Sequence, residues 1–206
     1  MGNQRRRYRS TDRDVVTINN VREETKMIQE ILDYNKKFVE NKEYERYQSG
    51  KYPEKKLAIL SCMDTRLTEL LPAALGIKDG DAKIIKNAGA VITHPFGSVV
   101  RSLLVAIVEL GVENVMVIGH TDCGVQHIDS EMILGHLKAR GINMDSVEML
   151  KYAGVDFERW LCGFNTIRES VEDTVKTLKE HPLIPKDVEI AGYIMDTKTG
   201  ELYPVC

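Results

Sequence analysis

Two short polar segments contain residue types that hold a transition metal. The first is C-M-D-T-R at residues 62–66, and the second is H-T-D-C-G at residues 120–124. Two thiolates and one imidazole, from Cys62, Cys123 and His120, suit Zn²⁺, and the H-x-x-C spacing lets two of them reach one ion from a single turn. Neither segment supplies a fourth cysteine or histidine. Three protein ligands leave the fourth position of one zinc ion per chain for water or substrate, as in catalytic zinc sites.

An aspartate and an arginine follow Cys62 at spacings of two and four residues. In an extended segment, these three side chains would project to the same side and face the metal. An arginine beside Asp64 keeps its carboxylate ionised, so that it can accept a hydrogen bond from zinc-bound water and orient it. Arg66 would also keep Asp64 from coordinating zinc. The alternative is that Asp64 and Arg66 form a purely structural ion pair.

The elements around both segments predict a parallel sheet. L-A-I-L-S at residues 57–61 and V-M-V-I at residues 115–118 are short apolar runs, typical of buried parallel strands, and each comes just before one segment. Ligands of open α/β sheets bind in the crevice outside the carboxyl ends of the strands. We therefore expect two strands of one sheet to bring both segments together.

The remaining patterns complete an α/β fold. Strands are predicted at residues 83–86 and 189–196, followed by a short edge strand that ends at Val205. Helical patterns end at Leu75 and occupy residues 98–110, 125–140 and 157–180. Strands that alternate with helices predict a mostly parallel central sheet of four strands plus the short edge strand, with helices on both faces.

The N-terminal region, which precedes the first predicted strand, is predicted to form a helical arm. Residues 1–20 are basic at their start and are predicted to form a flexible arm, whereas residues 21–206 are predicted to form a single domain. Apolar residues at a helical period predict a helix from Val21 to Tyr47, with Asn20 and Glu23 resembling a capping box. We expect this helix to pack on the outside of the domain or on a partner subunit.

Composition narrows the possible partners and compartments. The 206 residues suffice for one hydrophobic core, and the net charge of -3 gives no basic field that would recruit nucleic acid. No apolar run is long enough to span a bilayer, and no apolar segment follows the basic N-terminus as in a secretory signal. The four cysteines are far apart in sequence, which favours a reducing cytoplasm over a disulfide framework.

The two segments together resemble the signature of the β-carbonic anhydrase family. Asn87-Ala88-Gly89 lies between them and resembles a turn that these enzymes carry, and the resemblance covers roughly residues 57–205. It implies reversible hydration of carbon dioxide to bicarbonate and a proton, through attack of zinc-bound hydroxide that Asp64 orients. It also implies homodimers or homotetramers in which the N-terminal helix lies across the neighbouring subunit.

The resemblance assigns a role to each residue of the site. Cys62, His120 and Cys123 would be the zinc ligands, and Asp64 with Arg66 would form the catalytic pair. In a resting form that some members adopt, the aspartate matching Asp64 takes the fourth zinc position. Family position further suggests that the backbone of Gly89 and Ala90 lines the substrate pocket, and His127 and His94 are candidate proton shuttles.

Two other functions stay open. A few relatives of the fold hydrolyse carbon disulfide or carbonyl sulfide with the same ligands, so the same site could serve that reaction. A catalytically silent zinc-binding or redox-sensing module is the second alternative, although a structural zinc site needs neither Asp64 nor Arg66. Nucleotide binding is disfavoured because the chain contains neither G-x-G-x-x-G nor G-x-x-x-x-G-K-[ST].

Overall fold

The structure, a computed structural model, describes residues 13–206, with side chains from Lys26 onward. The chain divides into two compact units, with the boundary between Gln48 and Ser49. Residues 1–12 of the predicted flexible arm lie outside the described residues.

The first unit contains one long helix, α1, which spans Arg13–Glu40. A 3-10 helix at Glu43–Tyr47 follows it, and Lys42 between them has a left-handed φ of 57°. The helix predicted for residues 21–47 therefore begins earlier and ends sooner than expected. Asn20 lies inside α1, so the predicted capping box at this residue is wrong.

The second unit is built on a five-stranded sheet. Its strands are β1 (Leu57–Cys62), β2 (Ala82–Asn87), β3 (Asn114–His120), β4 (Glu189–Met195) and β5 (Leu202–Pro204). Their order across the sheet is β2-β1-β3-β4-β5. The first four strands are parallel, and β5 runs antiparallel to β4 at one edge. This arrangement confirms the predicted sheet of four parallel strands with a short edge strand.

Six α-helices of the second unit connect the strands, in addition to a 3-10 helix at Ala88–Ala90. They are α2 (Leu67–Ala74), α3 (Ser98–Val108), α4 (Ser130–Ala139), α5 (Met144–Tyr152), α6 (Phe157–Leu161) and α7 (Ile167–Glu180). None of the helices in residues 13–206 is long and apolar enough to cross a membrane.

The helices predicted at residues 125–140 and 157–180 differ from those in the structure. The pattern at residues 125–140 becomes helical only at Ser130, where the Asp129 carboxylate accepts a 2.7 Å hydrogen bond from the Met132 N–H. The pattern at residues 157–180 is broken into α6 and α7. The reason is that the chain before α4 pairs with the chain between these two helices, at an isolated bridge between Gln126 and Phe164.

The hydrophobic core lies on both faces of the sheet. Neighbouring strand residues such as Ala58 and Ile59 point to opposite faces and belong to separate buried clusters. One cluster packs the sheet against α3 and α7, and the other packs it against α2. Helices on both faces confirm the predicted layer architecture.

Close packing of α7 depends on two glycines of the sheet. A Cβ on Gly192 of β4 would lie 2.6 Å from Cγ1 of Val171 and 3.1 Å from Cγ2 of Val175. A Cβ on Gly119 of β3 would lie 2.9 Å from Cγ2 of Val171. The separations of 2.6 Å and 2.9 Å are shorter than a Cβ contact allows, so α7 packs where glycine fits beneath it.

We predict that Gly192→Ala lowers the free energy of unfolding by about 1–3 kcal/mol, because the added methyl overpacks a filled core. Gly135→Ala is the matched control, since Gly135 lies inside α4 with nothing within 4 Å of the added Cβ. The control should raise the free energy of unfolding by about 0.5–1 kcal/mol, the helix preference of alanine over glycine. Urea unfolding measures both, and equal stabilities of the two variants would contradict the packing argument.

Candidate metal centre

The carboxyl ends of β1 and β3 bring the two polar segments together. Cys62 is the last residue of β1 and His120 is the last residue of β3, and these strands pair directly in parallel. Cys123 follows β3 in the next turn of the chain. One donor atom each from Cys62, His120 and Cys123 lies within 4.8 Å of the others, and all three side chains are buried.

The geometry of these donor atoms fits a tetrahedral zinc ion. The two sulfurs lie 4.0 Å apart, and zinc–sulfur bonds of about 2.3 Å would place them roughly 3.8 Å apart. The His120 ring is fully buried, and its Nδ1 lies 2.9 Å from the Thr121 carbonyl oxygen, to which it can donate. Its Nε2 has no hydrogen-bond partner. A buried nitrogen lone pair without a partner is what a metal ion would satisfy.

The environment of Cys62 favours a thiolate. The pKa of Cys62 is lowered because the Cys123 thiol donates a hydrogen bond to its sulfur, and this outweighs the opposing effect of burial. A hydrogen bond from the Gly89 N–H, which is 3.3 Å from the sulfur, acts in the same direction. The pKa of Cys123 is correspondingly raised, because it shares its proton with the Cys62 thiolate and is itself buried. A divalent cation would favour the thiolate form of both.

The predicted turn after β2 packs directly beside Cys62. Asn87, the last residue of β2, pairs with Cys62 in the sheet, and Gly89 follows with a φ of 86°. A Cβ on Gly89 would lie 3.0 Å from the Phe164 ring. Both the left-handed conformation and the close ring therefore favour glycine here, and its N–H is aimed at the Cys62 sulfur.

Asp64 and Arg66 form a bidentate pair beside the cluster. The Arg66 Nε and Nη2 donate to Oδ1 and Oδ2 of Asp64, each at 2.9 Å. These hydrogen bonds, followed by the Coulombic attraction of Arg66, hold the pKa of Asp64 well below its usual range. Oδ2 of Asp64 lies 3.9 Å from Nε2 of His120, so the carboxylate borders the donor cluster.

The segment that carries this pair is not extended as the sequence suggested. The Asp64 carboxylate accepts a hydrogen bond from the Arg66 N–H, and the Leu67 N–H donates to the Asp64 carbonyl. The chain therefore turns after Asp64 into α2. Arg66 reaches the site through Asp64 rather than by facing the donor cluster itself.

Sequence reasoning missed one residue of the site, Asp122. Its Oδ2 accepts a 2.8 Å hydrogen bond from Nη1 of Arg66, and its carbonyl oxygen accepts one of 2.7 Å from Nη2. Asp122 has a φ of 55°, a left-handed conformation that aspartate tolerates better than most residues. The sequence offered one signal for this contact. The H-x-x-C segment contains a carboxylate, and the other polar segment, which was expected to lie beside it, contains a cationic residue.

The two candidate proton shuttles make none of the hydrogen bonds described above. His127 and His94 are both exposed, and Nδ1 of His94 accepts a hydrogen bond from the Phe96 N–H. His127 does not lie on a helix, because it precedes α4 and has a φ of 63°. Cys162 and Cys206 are exposed, and all four cysteines are free thiols.

Comparison with known proteins identifies the family. A family model described as carbonic anhydrase matches residues 57–202, which include both polar segments. The chain belongs to the β-carbonic anhydrase family. This confirms the resemblance drawn from the two segments and the turn between them.

Several relatives of this β-carbonic anhydrase family member are similar over most of its length. The Bacillus subtilis (strain 168) protein named "Putative carbonic anhydrase YtiB" is 53% identical over 176 residues, which are 85% of this chain and 94% of the relative. The crystal structure of β-carbonic anhydrase isoform I from Trichomonas vaginalis has a TM-score of 0.79 at 32% identity, covering 86% of this chain and 96% of that one. A carbon disulfide hydrolase of Acidithiobacillus thiooxidans is 34% identical over 168 residues, which are 77% of this chain and 81% of the relative.

We predict that this carbonic anhydrase homologue retains about one zinc ion per chain, and that Cys62→Ser and Cys123→Ser each lose it, because a serine hydroxyl is a poor substitute for a thiolate. Cys162→Ser is the matched control, since Cys162 is exposed and outside the donor cluster. Elemental analysis of each purified variant gives zinc per chain. Full zinc occupancy of Cys62→Ser and Cys123→Ser would contradict the assigned ligands.

Proposed function

We propose that the chain is a zinc enzyme that reversibly hydrates carbon dioxide to bicarbonate and a proton. The observation that carries this proposal is the buried cluster of Cys62, His120 and Cys123 with the Asp64 carboxylate held beside it by Arg66. Membership of the β-carbonic anhydrase family supports the same reaction. In this proposal, the three clustered residues hold the metal, and Asp64 and Arg66 form the catalytic pair.

Zinc bound to these ligands would supply Lewis acidity that makes a water molecule nucleophilic near neutral pH. The chain supplies the orientation. Oδ2 of Asp64 lies at the border of the donor cluster and can accept a hydrogen bond from the attacking oxygen, which aims a lone pair of that oxygen at the substrate carbon. Because its pKa is held low, Asp64 remains an acceptor and does not itself take up the proton.

The walls beside the cluster suit a small apolar substrate. Val125 and Phe164 pack against the hydrophobic cluster that contains Cys62 and Cys123. Gly89 is buried beside both side chains, and its N–H lies 3.3 Å from the Cys62 sulfur, so backbone rather than side chain borders this part of the cluster. Carbon dioxide has no net dipole and would transfer readily from water to such a surface. His127 and His94 remain the predicted carriers of the released proton to solvent.

Hydrolysis of carbon disulfide is the second candidate function. The specific observation in its favour is the 34% identity to a carbon disulfide hydrolase over most of both chains. Carbon disulfide is also linear and apolar, so the same walls would accept it. Assays of both substrates on one purified sample separate the two functions, and turnover of carbon disulfide alone would replace the first proposal with the second.

We also infer a homo-oligomer, a dimer or a tetramer, formed in part by α1. This helix exposes a stripe of apolar side chains at a helical period, each more than half accessible: Met27, Ile28, Ile31 and Leu32. Such a stripe is typical of a surface that another subunit covers. The four free thiols support the further proposal that the protein resides in the reducing cytoplasm.

Asp64→Asn should retain zinc but lower kcat for carbon dioxide hydration by roughly 10²-fold, because the amide neither pairs with Arg66 nor accepts the same charged hydrogen bond. Stopped-flow pH-indicator assays measure the rate, and elemental analysis measures the zinc. Asp187→Asn is the matched control, since Asp187 is an exposed carboxylate at the opposite end of the sheet, before β4. Wild-type kcat in zinc-loaded Asp64→Asn would refute the role of Asp64.

The double substitution of Ile31 and Leu32 by glutamate should shift the protein towards monomer, because it places two charges in the apolar stripe of α1. Light scattering coupled to size-exclusion chromatography measures the mass in solution. Lys26→Glu is the control, because it changes the net charge of each chain by the same amount at an exposed polar position. An unchanged mass of the Ile31→Glu, Leu32→Glu protein would show that α1 does not hold the subunits together.

A further inference from the structure

We propose that Asp122 is a positioning residue that keeps the Asp64 carboxylate beside the metal site and out of it. Asp122 acts through Arg66, which it anchors from the opposite side. This inference rests on the proposed function, because it assigns a residue to the control of the Asp64–Arg66 pair.

The hydrogen bonds of Arg66 define a chain of three residues. One edge of its guanidinium, Nε and Nη2, binds the carboxylate of Asp64. The other edge, Nη1 with Nη2, binds the carboxylate and the carbonyl oxygen of Asp122. The Arg66 side chain makes no hydrogen bond to any other residue between 26 and 206 in the structure. Within these residues, the hydrogen bonds that orient its guanidinium therefore come from Asp64 and Asp122.

The two carboxylates cooperate rather than compete for Arg66. Asp64 occupies the Nε and Nη2 donors, whereas the Asp122 carboxylate occupies Nη1. A guanidinium has five N–H donors in a rigid fork, so both contacts form at once. Asp122 thereby fixes the plane of the fork, and the fixed fork fixes the orientation of the Asp64 carboxylate.

The backbone conformation of Asp122 allows two of its oxygen atoms to contact Arg66. Its φ of 55° is left-handed, and in this conformation its carboxylate and its carbonyl oxygen both reach Arg66. The Asp122 side chain is 86% exposed, so a pair of this kind contributes little to stability. Orientation of Arg66, rather than folding, is the effect that this contact can have.

The distance from Asp64 to the donor cluster shows why orientation matters. Oδ2 of Asp64 lies 3.9 Å from Nε2 of His120. Two atoms that bind one tetrahedral zinc ion at about 2.0–2.1 Å would be roughly 3.4 Å apart. The carboxylate therefore borders the donor cluster without belonging to it, since the group of donor atoms within 4.8 Å of one another comprises Cys62, His120 and Cys123. Release of Arg66 would remove the hydrogen bonds that keep it there.

Two substitutions of Asp122 separate its charge from its backbone conformation. Asp122→Gly removes the carboxylate and tolerates the left-handed φ, and Asp122→Asn retains the shape and an acceptor oxygen while losing the charge. Asp187→Asn is the matched control for the loss of one exposed carboxylate. Each zinc-loaded variant is mixed with excess chelator to measure zinc release, and each is assayed for carbon dioxide hydration.

In Asp122→Gly, we expect zinc release to slow by about threefold or more, because the Asp64 carboxylate gains access to the fourth ligand position. We expect kcat to fall by roughly three- to tenfold with KM changed by less than about twofold, since the lost orientation affects the transition state rather than substrate binding. Asp122→Asn should show a smaller change in both, and Asp187→Asn should match wild type. In Co²⁺-loaded protein, the visible spectrum of Asp122→Gly should differ from that of wild type.

The Asp64→Asn background decides whether Asp122 acts through Asp64. There, Asp122→Gly should change neither zinc release nor kcat further. An equal change in zinc release with and without the Asp64 carboxylate would overturn the proposal, as would wild-type release and kcat in Asp122→Gly. If wild type does not hydrate carbon dioxide but its zinc release responds to Asp122 as described, the proposed function fails and the positioning role stands. If Asp122→Gly does not fold, the smaller changes expected of Asp122→Asn are measured with and without the Asp64 carboxylate instead.

Discussion

Cys62 and Cys123 are 61 residues apart in sequence, and they become neighbours because β1 and β3 pair directly in the sheet. Parallel strands end at the same edge, so this pairing places the end of β1 beside the end of β3. β2 lies on the other side of β1 and delivers Gly89 to the same place. Had another strand separated β1 from β3, the donor atoms would lie a further strand spacing of about 4.8 Å apart, too far to share one ion.

Burial of the cluster would favour binding of a cation, because buried polar atoms without partners are costly. The fully buried Nε2 of His120 lacks a partner, and an unsatisfied buried nitrogen of this kind costs about 1–3 kcal/mol. The hydrogen bond between the two sulfurs, together with burial, raises the pKa of Cys123. A divalent cation would relieve both conditions at once. Binding of a metal would therefore also stabilise the fold around this site.

The fold and the donor residues could be predicted from the sequence because their signals are local and strong. Short apolar runs marked β1 and β3, and the residue types at their ends marked the cluster. Turns were harder to predict from the sequence. Residues 62–66 gave no indication that the Asp64 carboxylate would accept a hydrogen bond from the Arg66 N–H and that the chain would turn into α2. The start of α4 was misplaced because a long-range bridge, between Gln126 and Phe164, overrides the helical pattern there. Asp122 was missed because its role depends on contact with a residue 56 positions away.

The site divides its tasks between a buried part and an exposed part, and this division has a physical reason. Metal ligands gain from burial, because a low dielectric strengthens the attraction between thiolates and a cation. An arginine held by two carboxylates would be costly to bury, because three charged groups would have to leave water. The Arg66 side chain is 41% exposed, so part of its hydration is retained and its contacts serve geometry at a lower energetic cost than in a buried site. A weak but directional contact of this kind can be broken and reformed, whereas the buried cluster, once it binds a metal, is held by its ligands.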